Sequence, residues 1–256
     1  MRIFLTGANG YIGGAAACAL IAAGHKVRGL VRSKERADAV AAHGVDPVIG
    51  SLDDADLLQA EARAADAVVN AASSDHRGAV VALISGLSGS GKPLIHSSGS
   101  SIVADLAMGE PSDRIFDEMT PIVPLTERAA PALVRQAKVS GVARYIGRGL
   151  NRWSNVHIAD VAALYVLAIA RAPAGSFMYV ESGEEALGEI VRAIAAQLGL
   201  GPAQSISSEE AIAFWGRNLA VFSLGSNSRV RGNAAVNLGW LPVHHSITRW
   251  IASDLI

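Results

Sequence analysis

The sequence predicts an α/β chain: a doubly wound parallel sheet followed by a smaller, mainly helical C-terminal lobe. Three observations carry this expectation. Short apolar strands alternate with helical stretches as far as Ser101, the alternation then stops, and a glycine-rich loop follows the first strand directly. Parallel strands need crossover connections and bury both faces, so apolar runs separated by helices are what such a sheet looks like in one dimension.

In order, strands are expected at 2–6, 26–31, 46–49, 67–71 and 93–97, with helices near 10–23, 34–43, 54–64 and 76–88 between them. The first helix is rich in alanine from Ala15 to Ala23 and stops at Gly24. Cys18, the only cysteine, lies on it and reads as a small core residue, so no disulfide forms within the chain. After Ser101 the prolines Pro111, Pro121, Pro124 and Pro131 break the pattern. Helices then follow at 131–140, 158–171, 184–198 and 208–215, with little strand between them and with Glu184-Glu185 and Glu209-Glu210 as helix-start charges. The division is therefore 1–130 for the sheet domain and 131–256 for the second lobe, interleaved with the first.

Bulk composition narrows the function. The chain has 256 residues, 50% of them hydrophobic, enough for a sizeable core. A formal net charge of −1 makes no electrostatic case for nucleic acid or an anionic membrane. The longest purely apolar stretch, Val161 to Ala170, is far short of the roughly 20 residues that span a bilayer. The start is a strand and a glycine loop rather than a secretory signal, so a cytoplasmic, reducing setting is expected.

Arg2-Ile3-Phe4-Leu5 runs into Thr6-Gly7-Ala8-Asn9-Gly10-Tyr11-Ile12-Gly13. Glycines at this spacing let the backbone turn tightly, approach a pyrophosphate closely and pack the next helix onto the strand, whose N–H groups then face the phosphates. The loop points to a dinucleotide. The second strand ends Leu30-Val31-Arg32-Ser33-Lys34, where selectivity for the unphosphorylated cofactor would call for a carboxylate. None is present; Arg32 suits a 2′-phosphate, so NADP is expected over NAD.

With the segments Asn70-Ala71-Ala72, Ser97-Ser98-Gly99, Val156-His157-Ile158-Ala159-Asp160-Val161-Ala162 and Leu238-Gly239-Trp240-Leu241-Pro242, the chain resembles the extended short-chain dehydrogenase/reductase superfamily, in its NAD-dependent epimerase/dehydratase branch. The resemblance runs in order over nearly the whole chain and implies a Rossmann sheet. It implies that Gly7, Gly10 and Gly13 hold the pyrophosphate and Arg32 the adenosine phosphate, with Asn9, Tyr11 and Ile12 also cofactor-binding. Ser51 and Leu52 would flank the adenine, with Ser51 where the family commonly has aspartate. Asn70, Ala71 and Ala72 would line the ribose and nicotinamide side. Some members pair as homodimers through a helical bundle, which here would fall to 76–88 and 113–130.

The family's engine is a tyrosine with a lysine four residues on, assisted by a serine or threonine. Tyr11, Tyr145, Tyr165 and Tyr179 are instead followed at that distance by Ala15, Gly149, Ile169 and Gly183. Ser98 is in place after the fifth strand, either as a contact for a substrate oxygen or as an ordinary strand-end polar residue. Family members also carry a further helix and strand before the second lobe, whereas here Pro124-Leu125-Thr126-Glu127-Arg128-Ala129-Ala130 passes straight into Pro131. Either another element replaces them or the sequence omits residues near Ala129-Ala130-Pro131.

Arg152 and Trp153 precede the helix beginning near Ile158 and either meet substrate, as anion clamp and apolar wall, or pack on their neighbours. His157 and Asp160 read as fixing that helix's start, and His244-His245 lacks a third ligand, so no metal is expected. The expectation is an NADP-binding oxidoreductase or epimerase-like protein working by hydride exchange on a small carbonyl, alcohol or sugar-nucleotide substrate. The alternative is a non-catalytic NADP-sensing or partner-binding module on the same fold.

Overall fold

The computed structural model describes residues 1–122 and 133–255 and divides the chain into two compact units. The first comprises Met1–Gly99, Ile158–Ser176 and Asn237–Trp240; the second comprises Ser100–His157, Phe177–Val236 and Leu241–Ile256.

The first unit holds a five-stranded parallel sheet. Its strands are β1 (Arg2–Thr6), β2 (Lys26–Val31), β3 (Asp46–Ile49), β4 (Ala67–Asn70) and β5 (Leu94–His96), in the order β3-β2-β1-β4-β5. The crossovers are α1 (Tyr11–Ala22), α2 (Lys34–Ala41), α3 (Ala55–Ala64) and α4 (Arg77–Leu87). Every one of these elements lies within a residue or two of its expected bounds. The strand order reverses between β1 and β4, which is where doubly wound sheets take their ligands.

Strand alternation sorts the side chains into two cores. Ile3, Leu5, Val27 and Val69 pack with Ala16, Ala17 and Leu20 of α1 and with Tyr165 and Ile169 of α6 (Ile158–Arg171). Phe4, Leu30, Val48 and Val68 face Leu58 and Ala62 of α3 and Ala79, Ala82 and Leu83 of α4. With Ala16, Ala17 and Leu20 turned inward on α1, Cys18 is turned out: it is exposed, not the core residue expected. Among the described strands, β5 is bonded on one side only, to β4.

The second unit is built from α5 (Leu133–Ser140), α7 (Leu187–Gln197), α8 (Ser208–Trp215) and a helix at Ile247–Asp254, around Ile146, Leu187, Ile190, Ile194 and Leu224. It contains four short strands: β6 (Arg144–Ile146) pairs with β9 (Gln204–Ile206), and β7 (Arg152–Asn155) pairs antiparallel with β8 (Gly183–Ala186). This corrects the helix expected from 184. Glu184 and Glu185 lie in β8, and α7 begins at Leu187. Glu209 and Glu210 do start α8, where Ser207 Oγ accepts from Glu210 N and the Glu210 carboxylate accepts from Ser207 N.

Candidate functional site

The glycine loop leaves β1 and enters α1 by a turn that only glycine permits at two positions. Gly7 has φ +78°, and a Cβ built there would lie 2.9 Å from the carbonyl carbon of Ala71. A Cβ on Gly13 would lie 2.1 Å from Gly7 O. Gly7 O also accepts the Gly10 N–H at 2.8 Å, which closes the turn. Gly10 is the N-cap of α1 and contributes no side chain, and the first turn has no acidic residue. Asn9, Gly10, Tyr11 and Ile12 are exposed. Among the described residues the N–H groups of Tyr11, Ile12 and Gly13 meet no acceptor. Free donors at the positive end of a helix, beside a backbone that no Cβ obstructs, fit a pyrophosphate.

At the end of β2 the three polar residues divide their work. Ser33 caps α2, its Oγ accepting from Arg36 N at 3.3 Å, and Lys34 pairs with Asp38 at 2.6 Å. Arg32 is exposed, and its guanidinium has no partner among the described residues. Ser51 and Leu52 are half-buried beyond β3. Ser51 N donates to Asp54 at 2.9 Å and Ser51 Oγ accepts from Asp53 N at 3.0 Å, so the serine shapes this turn.

The C-terminal ends of β1, β4 and β5 carry a row of neighbours. Register pairs Thr6 with Asn70 and Asn70 with His96, all on the face that carries Phe4, Val68 and Leu94 two residues earlier. Thr6 and Asn70 are fully buried and His96 is exposed. Thr6 Oγ1 donates to Asn70 Oδ1 at 2.5 Å, and Asn70 Nδ2 lies 3.2 Å from Ser73 O and 3.0 Å from His96 Nδ1. Ala71 is half-buried and Ala72 exposed, both against the Gly7 turn.

Ser97 and Ser98 part company. Ser98 is exposed and has no hydrogen-bond partner among the described residues. Ser97 faces the opposite side, where its hydroxyl meets the Tyr165 hydroxyl of α6 in a short contact. Burial pushes the Tyr165 phenol up, and the Ser97 hydrogen bond partly offsets it. Tyr165 and His96 were both missed by motif reading. For His96 the sequence held no signal, since its place beside Asn70 comes from the strand register; for Tyr165 the signal was a polar tip on the apolar stripe of α6.

In the second unit Arg152 and Trp153 lie on β7. Arg152 Nε donates to Glu184 at 2.7 Å and its Nη2 to Glu184 O at 3.1 Å, while Arg229 Nε takes the other carboxylate oxygen at 2.8 Å. Burial pushes the Glu184 carboxyl up, but the hydrogen bonds and charges of the two arginines outweigh it and hold it below the usual range. Trp153 Nε1 donates to Ser226 O at 2.9 Å. Both side chains are half-buried and engaged within their own unit. The segment 123–132, with Glu127-Arg128 and the join at Ala129-Ala130-Pro131, lies outside the described residues, as does part of the 113–130 stretch. Among the described residues no group of three or more His, Cys, Asp or Glu side chains could hold a metal ion.

A doubly wound sheet with a glycine cradle at its switch point defines a dinucleotide-binding protein. Residues 7–149, more than half of the chain, match the NAD(P)H-binding family. The chain belongs to that family, and its fold is that of the extended short-chain dehydrogenases/reductases and NAD-dependent epimerases/dehydratases. It is 33% identical to the uncharacterized protein C2A9.02 of Schizosaccharomyces pombe over 99% of each chain, and 32% identical to the oxidase ucsJ of an Acremonium species over 94% of this chain and 93% of that one. It is 27% identical to a Stigmatella aurantiaca dihydroquinoline-oxide ketoreductase over 72% of this chain and 69% of that one.

Among solved structures, dTDP-glucose 4,6-dehydratase from Bacillus anthracis with NAD superposes with a TM-score of 0.75 at 15% identity, covering 100% of this chain and 95% of that one. The human epimerase family protein SDR39U1 with NADPH gives 0.71 at 18%, covering 99% and 100%. The alignment with the fission-yeast protein extends over 295 positions, yet 99% of this 256-residue chain is about 253 residues. About 42 of those positions therefore have no residue here.

Proposed function

We propose that the chain is an NADP(H)-dependent oxidoreductase acting by hydride exchange on a small carbonyl or alcohol. The observation that carries the cofactor choice is Arg32, an exposed guanidinium at the end of β2 without a partner among the described residues, at a position where the sequence has no carboxylate. The full-length relative termed an oxidase and the partial relative termed a ketoreductase favour this chemistry over epimerisation of a sugar nucleotide. Gly7, Gly10 and Gly13 hold the pyrophosphate with Asn9, Tyr11 and Ile12 beside the cofactor, Ser51 and Leu52 border the adenine, and Asn70, Ala71 and Ala72 line the ribose and nicotinamide side. Bound there, the nicotinamide supplies or accepts a hydride. Ser98, exposed and without a hydrogen-bond partner among the described residues, offers a hydroxyl to the substrate oxygen. Arg152 and Trp153 belong to the same reading as substrate contacts, with Arg152 left only the part of its guanidinium that Glu184 does not take. The setting is cytoplasmic, with a homodimer formed through α4, where Val81 and Ile84 are exposed one turn apart.

A non-catalytic NADP sensor is the second reading. It is favoured by one observation: Tyr165, the tyrosine beside the β5 end, is buried, bonded to Ser97 and without a lysine one turn on. The two readings divide at 126–131: a tyrosine and lysine there in a longer natural chain favour the enzyme, and continuation of Glu127-Arg128 without a tyrosine favours the sensor. Titration calorimetry with NADPH and NADH, intact mass of the natural protein and NADPH consumption with a panel of ketones test both. NADPH binding without turnover favours the sensor. Absence of binding removes both.

A further inference from the structure

We propose that His96 is a hydrogen-bond donor to the reacting oxygen, alongside the Ser98 hydroxyl, through an Nε2–H that the neighbouring buried amide holds in place; this rests on the reductase reading above. The argument begins with Asn70, whose side-chain oxygen and nitrogen must first be told apart. Ser73 O, 3.2 Å away, is a carbonyl and can only accept, so the amide atom facing it is the nitrogen. The other amide atom is then Oδ1, and Thr6 Oγ1 donates to it at 2.5 Å. Ser73 O thus fixes the orientation, and the Thr6 hydroxyl, which can donate or accept, fits it.

Nδ2 carries two hydrogens. One is directed to Ser73 O and the other to His96 Nδ1 at 3.0 Å. His96 Nδ1 therefore accepts, and the ring proton of the neutral imidazole resides on Nε2. A proton on Nδ1 would meet the Asn70 N–H group and leave a fully buried amide without its acceptor, at the cost of a hydrogen bond.

The other end of the ring is free. His96 is exposed at the C-terminal end of β5, directly before Ser97 and Ser98, and Nε2 has no partner among the described residues. Ligands of doubly wound sheets lie at these strand ends. A neutral imidazole N–H fixed at such a place can polarise a carbonyl and stabilise the charge that develops on its oxygen without giving up its proton. In a reduction the hydride given up by NADPH, which is oxidised to NADP⁺, adds to the carbonyl carbon, the π pair moves onto oxygen, and that oxygen takes its proton from water; His96 is unchanged at the end. The described tyrosines lack a lysine partner, and this device does not need one.

The test combines a spectrum with kinetics. Nitrogen-15 histidine spectra of the folded protein should show His96 as the Nε2–H tautomer. With NADPH and either diacetyl or phenanthrenequinone, His96→Phe should lower kcat roughly 100-fold, the usual cost of one lost oxyanion donor, with KM nearly unchanged. His96→Gln, which keeps an N–H donor, should recover part of the loss. An Nδ1–H tautomer overturns the proposal whatever the activity. A bound cofactor and wild-type kcat in His96→Phe overturn it while leaving the reductase reading intact. A wild-type protein that reduces no carbonyl removes that reading and the role of His96 with it, even if the spectrum shows Nε2–H.

Discussion

A Cβ on Gly13 would stand 2.1 Å from the carbonyl oxygen of Gly7, so the first turn of α1 and the end of β1 meet as bare backbone. Gly13→Ala must push the two apart. Strain of this kind costs about 1–3 kcal/mol. We expect a lower melting temperature and at least a tenfold loss of NADPH affinity by calorimetry; wild-type values for both would show that the loop opens freely.

Arg32→Glu places a carboxylate where the 2′-phosphate is proposed to sit. A charge-assisted contact contributes about 1.5–3 kcal/mol, so NADPH affinity should fall roughly 10- to 100-fold while NADH affinity holds or rises. Equal loss of both nucleotides would take Arg32 out of the site.

Tyr165→Phe removes the hydroxyl that meets Ser97, at about 1 kcal/mol of stability. Because burial raises the Tyr165 pKa in the folded state, its contribution is fully present below the ordinary tyrosine value of about 10 and is lost as pH rises through the folded value. Denaturant melts should therefore show the wild type losing its advantage over the variant in alkali. A constant difference up to the alkaline limit would mean that the phenol is not buried in solution.

Glu184 bridges Arg152 and Arg229 with its side chain only 10% exposed. Glu184→Gln leaves two guanidinium groups short of a carboxylate and should cost about 3 kcal/mol near neutral pH. The folded carboxyl is held below its usual range, so this contribution is present above the unfolded pKa and is lost as pH falls through the folded one. The stability gap between wild type and variant should narrow in acid; a gap that widens there would reverse the assignment.

The elements of the first unit were legible because their causes are local. Strands β1 to β5 announce themselves as short apolar runs, α1 by its alanines and Gly24, and the cofactor cradle by glycines at fixed spacing. In the second unit the reading slipped at Glu184. Two adjacent acids before an apolar stretch look like a helix start, and only pairing with β7 draws them into a strand.

By itself, then, the sequence determined the sheet, the glycine loop and hence the class of a dinucleotide-binding protein, since turn chemistry and periodicity act over a few residues. Tertiary structure decided the rest. Thr6 reaches Asn70 across 64 positions, Asn70 reaches His96 across 26, and Ser97 finds Tyr165 across 68. Those contacts depend on strand register and on which face of α6 turns inward, quantities that exist only once the strands have paired and the helix has packed.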